Sequence, residues 1–303
     1  MSELQKYDSI IVAGPWQRGP AIRTLYKNLS PSQNIYYLPR GGLAAAEFSR
    51  PRDLKKLPYL ALVENERIRR TSSIVFSSKV ERDSLVSWVS KRAPRRVIPD
   101  FVDSLSGQES TDCSGDRRFT FGFLAEISPR KGLLPLVQAF GDFLSSSHAA
   151  CTLKVGGAPR PGSERYARHA RRAAASLGDR TVQFSGAVKH EHRASFFSGV
   201  DVLVVASAFE SYGLTVLEAL SEGVGVIITP DVGVGEYLGE IDGLYRASGC
   251  DRSGLRIALQ AAYHDHEGSS SRARRAARAA AAKSAIEAVN LRAGAEWASM
   301  LGM

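Results

Sequence analysis

From residue 118 onward, short apolar runs alternate with stretches of helical spacing. RFTFGFLAEI (residues 118–127) leads into LLPLVQAFGDFL, and CTLKVGG leads into a basic, Ala-rich stretch from Glu164 to Leu177. TVQFSGAV and DVLVVAS follow, then the helical TVLEALSEG and the apolar VGVIIT. The runs are continuously apolar and rich in β-branched residues, the pattern of strands covered on both faces. Such strands interleaved with helices predict an α/β fold built on a doubly wound parallel sheet. In sheets of that kind ligands bind off the carboxyl ends of the strands, where the strand order reverses.

The first hundred residues hold similar but fewer units: DSIIVAG, NIYYLP, SIVFSS and RRVIP. A polar segment, SLSGQESTDCSGD (residues 104–116), reads as a linker. The expected division is an N-terminal domain over residues 1–105 and a C-terminal domain over residues 106–303. The latter ends in an Ala/Arg-rich helix from Ser271 whose apolar stripe of Trp297, Met300 and Leu301 is expected to pack on the body of the protein.

Composition narrows the function classes. With 44% hydrophobic and 23% charged residues, the 303-residue chain has the make-up of an ordinary globular protein. No run approaches the roughly 20 apolar residues of a membrane span, and the opening MSELQKYDSIIVAG lacks the features of a signal peptide. Cys113, Cys151 and Cys250 are odd in number and never spaced CxxC, which argues against a disulfide framework or a zinc site and suits a cytoplasmic location. Charge is unevenly placed. Residues 1–105 hold 18 Lys and Arg against 10 Asp and Glu, a net +8, while the remainder holds 22 against 21. Two clusters stand out, Arg67, Arg69, Arg70 and Lys91, Arg92, Arg95, Arg96. They serve either as a solvated surface or as attraction toward an anionic partner such as phospholipid headgroups, giving peripheral attachment to the inner face of a membrane. A nucleic-acid partner, suggested only by the charge, is the least expected, since there is no aromatic-interleaved basic strand or recognition helix.

The strongest chemical signal is FESYGLTVLEAL, residues 209–220. Glu210 follows a buried strand, and Glu218 comes eight positions later in the first turns of a helix. A loop leading from a strand into a helix presents free N–H groups and a positive dipole end, which suits a diphosphate on the amides of Gly213, Leu214 and Thr215. Gly213 lets the main chain approach a ligand closely. Each ionised carboxylate accepts hydroxyl hydrogens from a vicinal diol, so one fits a sugar ring and the other a ribose. Two glutamates near a helix start serve equally well as dipole-stabilising surface residues.

FESYGLTVLEALSEGVGVIITPDVGVGEYL resembles the E-x7-E segment of family-4 retaining glycosyltransferases, which have the GT-B fold, a pair of Rossmann-type domains. Upstream blocks are similar to that family in the same order. FGFLAEISPRKGLLPLVQAF resembles its first C-domain strand, phosphate loop and helix, and TVQFSGAV its base-contacting strand. RTSSIVFSSKVERDSL and RVIPDFVD resemble the end of its N-domain, and YYLPRGGL a Pro-Arg-Gly loop of one branch. The resemblance implies that Glu210 holds the transferred sugar and Glu218 the ribose. Lys131, with Arg130 beside it, would neutralise the donor diphosphate. Val188 would meet the base, and Arg40 would face acceptor or phosphate from the N-terminal side of an interdomain cleft. No cofactor or metal is implied; the substrate would be a UDP- or GDP-linked sugar, and the acceptor a glycan or lipid-linked acceptor of bacterial surface polysaccharide synthesis.

Two positions depart from the family pattern. The family's phosphate loop carries a Gly-Arg pair where this chain has Ala125 and Glu126. A carboxylate beside a diphosphate is repelled by about 1 kcal/mol or more. Glu126 is therefore expected to turn away, to pair with Arg130, or to belong to a site that handles the diphosphate differently. In addition, the units that the family places before the position of Gly14 have no counterpart, so the N-terminal domain is expected to be short. Both departures keep open a non-catalytic or partner-dependent glycosyltransferase-like subunit, with another chain supplying the missing elements.

Overall fold

A computed structural model describes residues 6–17, 19–48, 55–102, 118–147, 149–178, 180–266 and 272–303. The expected linker over residues 104–116 lies outside the described residues. The chain forms two compact units. One comprises Met1–Phe101, Glu210–Tyr212 and Asn290–Met303, and the other Val102–Phe209 and Gly213–Val289.

The first unit is built on four parallel strands in the order β1-β2-β3-β4, with β1 at Ser9–Ala13, β2 at Asn34–Leu38, β3 at Ser73–Phe76 and β4 at Arg95–Val97. These are the four apolar runs of the first hundred residues. Parallel neighbours require crossovers. Helix α1 (Pro20–Lys27) supplies the first, and the second runs through α2 (Leu57–Tyr59), a π turn (Leu60–Glu64) and α3 (Asn65–Arg69). A short α4 (Lys79–Asp83) follows β3. Alternation along β2 divides the core. Ile35 and Tyr37 pack with Ile68, Ile74 and Phe76 on one face, while Tyr36 and Leu38 pack with Val75, Ile98 and Ala293 on the other. That second face is covered by the last turns of α10 (Arg272–Leu301), through Trp297, Met300 and Leu301. The Tyr36 and Trp297 rings meet edge to face at 6.2 Å. The helix expected to end the C-terminal domain runs over Arg272–Leu301, and Asn290–Met303 belong with the first unit.

The second unit carries six parallel strands: β5 (Phe119–Leu124), β6 (Cys151–Gly156), β7 (Val182–Gly186), β8 (Val202–Val205), β9 (Gly225–Ile228) and β10 (Leu244–Arg246). Their order is β10-β9-β8-β5-β6-β7. The chain winds outward from β5 to β7, returns to the other side of β5 at β8, and winds outward again, so the order reverses between β5 and β8. This is the doubly wound arrangement. Between the strands run α5 (Leu133–Ser147), α6 (Glu164–Ala175), α7 (Arg193–Ser198) and α8 (Leu214–Ser221), and α9 (Arg252–His266) follows β10. Phe121, Phe123, Phe140, Phe143, Leu153, Val155 and Val204 are at most 1% exposed in one core. Each such side chain contributes about 1.5–3 kcal/mol on leaving water. Cys151 belongs to this core, where burial pushes its thiol up to about 12. Among the described residues no helix is long and apolar enough to cross a membrane.

Candidate functional site

In the second unit the loops that follow β5 and β8 lie side by side, because those strands are neighbours. After β5 the chain runs extended through Ser128 and makes one tight turn at Pro129–Lys131. It then passes through Gly132 at φ 73° before α5 begins. Proline at the start of the turn supplies the fixed φ that this geometry needs. Gly132 is required twice over. Its φ is one that side chains rarely adopt, and a Cβ there would lie 2.0 Å from the carbonyl oxygen of Ala206 at the end of β8. The two loops are laced together by main-chain and side-chain bonds. Ala208 donates its N–H to the Arg130 carbonyl at 2.8 Å, and the Arg130 guanidinium donates to the Phe209 carbonyl at 3.0 Å. Thr229 caps the same strand end by donating its hydroxyl to the Ser207 carbonyl at 2.5 Å. Lys131, half-buried, is thus carried at the sheet's reversal point.

Glu126 takes the second of the three courses open to it from the sequence and adds a partner. It pairs with Arg130 at 3.4 Å and also with Arg160 at 3.7 Å. Arg160 comes from the loop after β6 and carries no sequence signal as a site residue.

Helix α8 opens at Gly213, which has φ 106° and ψ 52° and no side-chain cap. Leu214 and Thr215 form the first turn, whose N–H groups have no partner within the helix. Leu214 is 47% exposed, so the helix start is open at this point. One turn further on, Glu218 is nearly buried. Its Oε1 accepts from the guanidinium of Arg193, the first residue of α7, in a close ion pair. The other carboxylate oxygen, Oε2, is buried and has no hydrogen-bond partner among the described residues. Val188, half-buried, follows β7 in the loop that leads to Arg193, and its methyl group lies where a Cβ on Gly156 would be 2.9 Å away. Arg193 was not foreseen as a site residue.

Arg40 and Glu210 belong to the first unit. Arg40 sits in the loop after β2 at φ 52°, uncommon for a residue with a side chain, and its guanidinium forms a close ion pair with Asp100. The loop is fixed from below by Glu81, whose carboxylate accepts the Gly41 N–H at 2.5 Å and the N–H and hydroxyl of Ser77, each at 2.8 Å. Burial holds the Glu81 carboxyl above its usual range although these N–H donors pull it down, and burial also raises Asp100 against the pull of Arg40. The segment carrying Glu210 is held by the same residues. The Ser211 carbonyl accepts the hydroxyl of Ser78 at 2.6 Å and lies 3.1 Å from that of Ser77, and the Tyr212 hydroxyl donates to the Asp100 carbonyl at 3.3 Å. Asp100 thus joins the arginine loop to the segment that begins with Glu210. Ser77, Ser78, Glu81 and Asp100 were not singled out from the sequence, since nothing in their spacing links them to residues more than a hundred positions away.

Comparison with known proteins agrees with this architecture. Residues 114–280 match the family described as Glycosyl transferases group 1. A curated relative, the 2-deoxystreptamine glucosyltransferase of Streptomyces kanamyceticus, is 28% identical over 198 residues, which is 61% of this chain and 49% of the relative. The chain therefore spans about half the length of that relative. Sucrose-phosphate synthase from Thermosynechococcus elongatus superposes with a TM-score of 0.71 at 20% identity, covering 98% of this chain and 74% of that one. The HepE protein of Anabaena, in a structure with UDP and glucose, gives a TM-score of 0.71 at 17% identity, covering 98% and 79%. At these identities the likeness is one of fold, a pair of Rossmann-like units of the GT-B type. With the family match extending over more than half its length, the chain belongs to the group 1 glycosyl transferases.

Proposed function

We propose that the protein transfers a sugar, with retention, from a UDP- or GDP-linked donor to a glycan or lipid-linked acceptor of bacterial surface polysaccharide synthesis. The observation that carries this reading is Glu218 Oε2, a buried carboxylate oxygen without a partner among the described residues, one turn inside a helix that opens beside the reversal point of the sheet. A buried acceptor of that kind costs about 1–3 kcal/mol if left unmet, and a ribose hydroxyl meets it. The start of α8 at Gly213, Leu214 and Thr215 would receive the diphosphate, and Lys131 and Arg130 would neutralise the charge that grows on it as the sugar leaves. Val188 would border the base. Glu210 would hold the transferred sugar, and Arg40, paired with Asp100 at rest, would meet acceptor or phosphate. That HepE carries UDP and glucose in its structure supports the choice of UDP. A second reading, a subunit that binds the nucleotide without transferring sugar, is favoured by one observation: Arg130 shares its charge with Glu126.

Isothermal titration with UDP-, GDP- and ADP-sugars tests the donor assignment. The wild type is expected to bind a UDP- or GDP-sugar, and Glu218→Ala to lose about 1–3 kcal/mol of that binding. Equal binding by the variant removes Glu218 from the ribose, and no binding of any donor by the wild type removes the reading. Turnover of the bound donor separates a transferase from a binding subunit.

A further inference from the structure

The segment of residues 189–193 is basic, and its members differ in orientation. Lys189 and His192 are exposed, at 76% and 67%, and lie near Glu191. His190 is exposed as well. Arg193 turns inward to the ion pair with Glu218, the side chains being 36% and 12% exposed. That pairing satisfies one guanidinium nitrogen and one carboxylate oxygen. Two atoms remain buried with no hydrogen-bond partner among the described residues, the Nε of Arg193 and the Oε2 of Glu218. The first is a donor only and the second, ionised, an acceptor only. A hydroxyl group is the complement of both, since its oxygen accepts from an N–H while its hydrogen is given to a carboxylate.

We infer that Arg193 is a positioning and selecting residue of the donor site: it orients Glu218 through Oε1 and, through Nε, joins Oε2 in demanding a hydroxyl on the nucleotide's sugar. This rests on the reading of Glu218 as the ribose contact. The pair makes the site selective for ribonucleotides, because a deoxy analogue leaves a buried donor and a buried acceptor unmet at the same time. Lysine in place of Arg193 keeps the positive charge beside Glu218 but offers no Nε–H on a planar fork.

The test is titration of UDP and GDP against their 2′-deoxy and 3′-deoxy forms, with thermal melting of each protein. The wild type is expected to prefer the ribonucleotide over at least one deoxy form by about tenfold or more. Arg193→Lys is expected to melt near the wild type and to bring that preference to within a few-fold of unity. The neutral pair Arg193→Met with Glu218→Gln leaves no buried unpaired charge and should lose the preference as well. If the wild type shows the preference and Arg193→Lys keeps it in full, the inference is overturned. The same holds if the wild type binds UDP or GDP with no preference for any hydroxyl. If the wild type binds neither UDP nor GDP, the ribose reading of Glu218 falls first and this inference with it.

Discussion

At the scale of single residues, Glu126 stands between the guanidiniums of Arg130 and Arg160, with its side chain 36% exposed. Water screens pairs of that exposure, so each contributes about 0–1 kcal/mol to stability. Their greater effect is on where charge is directed. Arg130 is tied to Glu126 and to the Phe209 carbonyl, and on the proposed function a diphosphate at the reversal point would compete with the carboxylate for it. Neutralising that competitor by Glu126→Gln is expected to tighten UDP binding by up to about fivefold, the equivalent of ~1 kcal/mol. Titration calorimetry reads this directly. Unchanged binding would mean that Arg130 does not face the diphosphate, and weaker binding that Glu126 holds the loop in its binding shape. The glutamate's departure from the family pattern was visible in the sequence. Its second partner was not, because Arg160 enters only through the pairing of β5 with β6.

Among elements, the strands that the sequence announced most clearly are those with continuous β-branched runs, such as VLVV in β8 and GVII in β9, because burial on both faces leaves no polar alternation to confuse the period. Strand β10 has three residues, Leu244, Tyr245 and Arg246, and its short mixed run gives no such signal. The loops after β5 and β8 were legible for a different reason, since glycine, proline and charged residues follow those strand ends in sequence. The links between α7 and α8, and between Asp100 and Tyr212, depend on tertiary packing and carry no local mark. A further link of this kind joins α9 to α10. His266, at the end of α9, accepts from Arg278 of α10 on Nε2 at 2.5 Å, while Nδ1 lies 2.9 Å from the Ala262 carbonyl. Arg274, Asp265, Tyr245 and Asp201 surround the pair. Burial lowers the pKa of His266 from its ordinary 6.5, and Arg278 lowers it further. The unfolded chain then takes up a proton that the folded protein refuses, so the contribution to stability is complete above pH ~6.5 and is lost as pH falls through the depressed folded value. Thermal melts between pH 8 and pH 5 should show the wild type losing stability faster than His266→Gln, which lacks the titration. Parallel curves for the two proteins would remove His266 from the pH response.

Over the whole molecule, the charge bias of +8 in residues 1–105 takes a more specific form once the side chains are placed. Arg67 is 7% exposed and committed to Glu64, and Arg69 and Arg70 both pair with Glu66. Of the two basic clusters, the first is therefore largely neutralised. Lys91, Arg92, Arg95 and Arg96 are all exposed, on and just before β4, and Trp88 in the same stretch is 51% exposed. An exposed tryptophan beside four cations is the composition of a surface that settles at a lipid interface. We propose that this stretch brings the protein to an anionic leaflet, where a lipid-linked acceptor would be met. Each cation near such a leaflet contributes about 1 kcal/mol, so four are enough for reversible attachment. The range of the attraction is set by a Debye length of about 8 Å at physiological ionic strength, so it weakens as salt is added. Co-sedimentation with vesicles containing phosphatidylserine should therefore exceed that with neutral vesicles at low salt, and the difference should close at high salt. Replacing Lys91, Arg92, Arg95 and Arg96 with serine should abolish the difference while leaving UDP binding unchanged. Equal partitioning of the wild type to both vesicles, or to neither, would assign the charge to solubility, and full retention in the serine variant would move the membrane contact elsewhere on the protein.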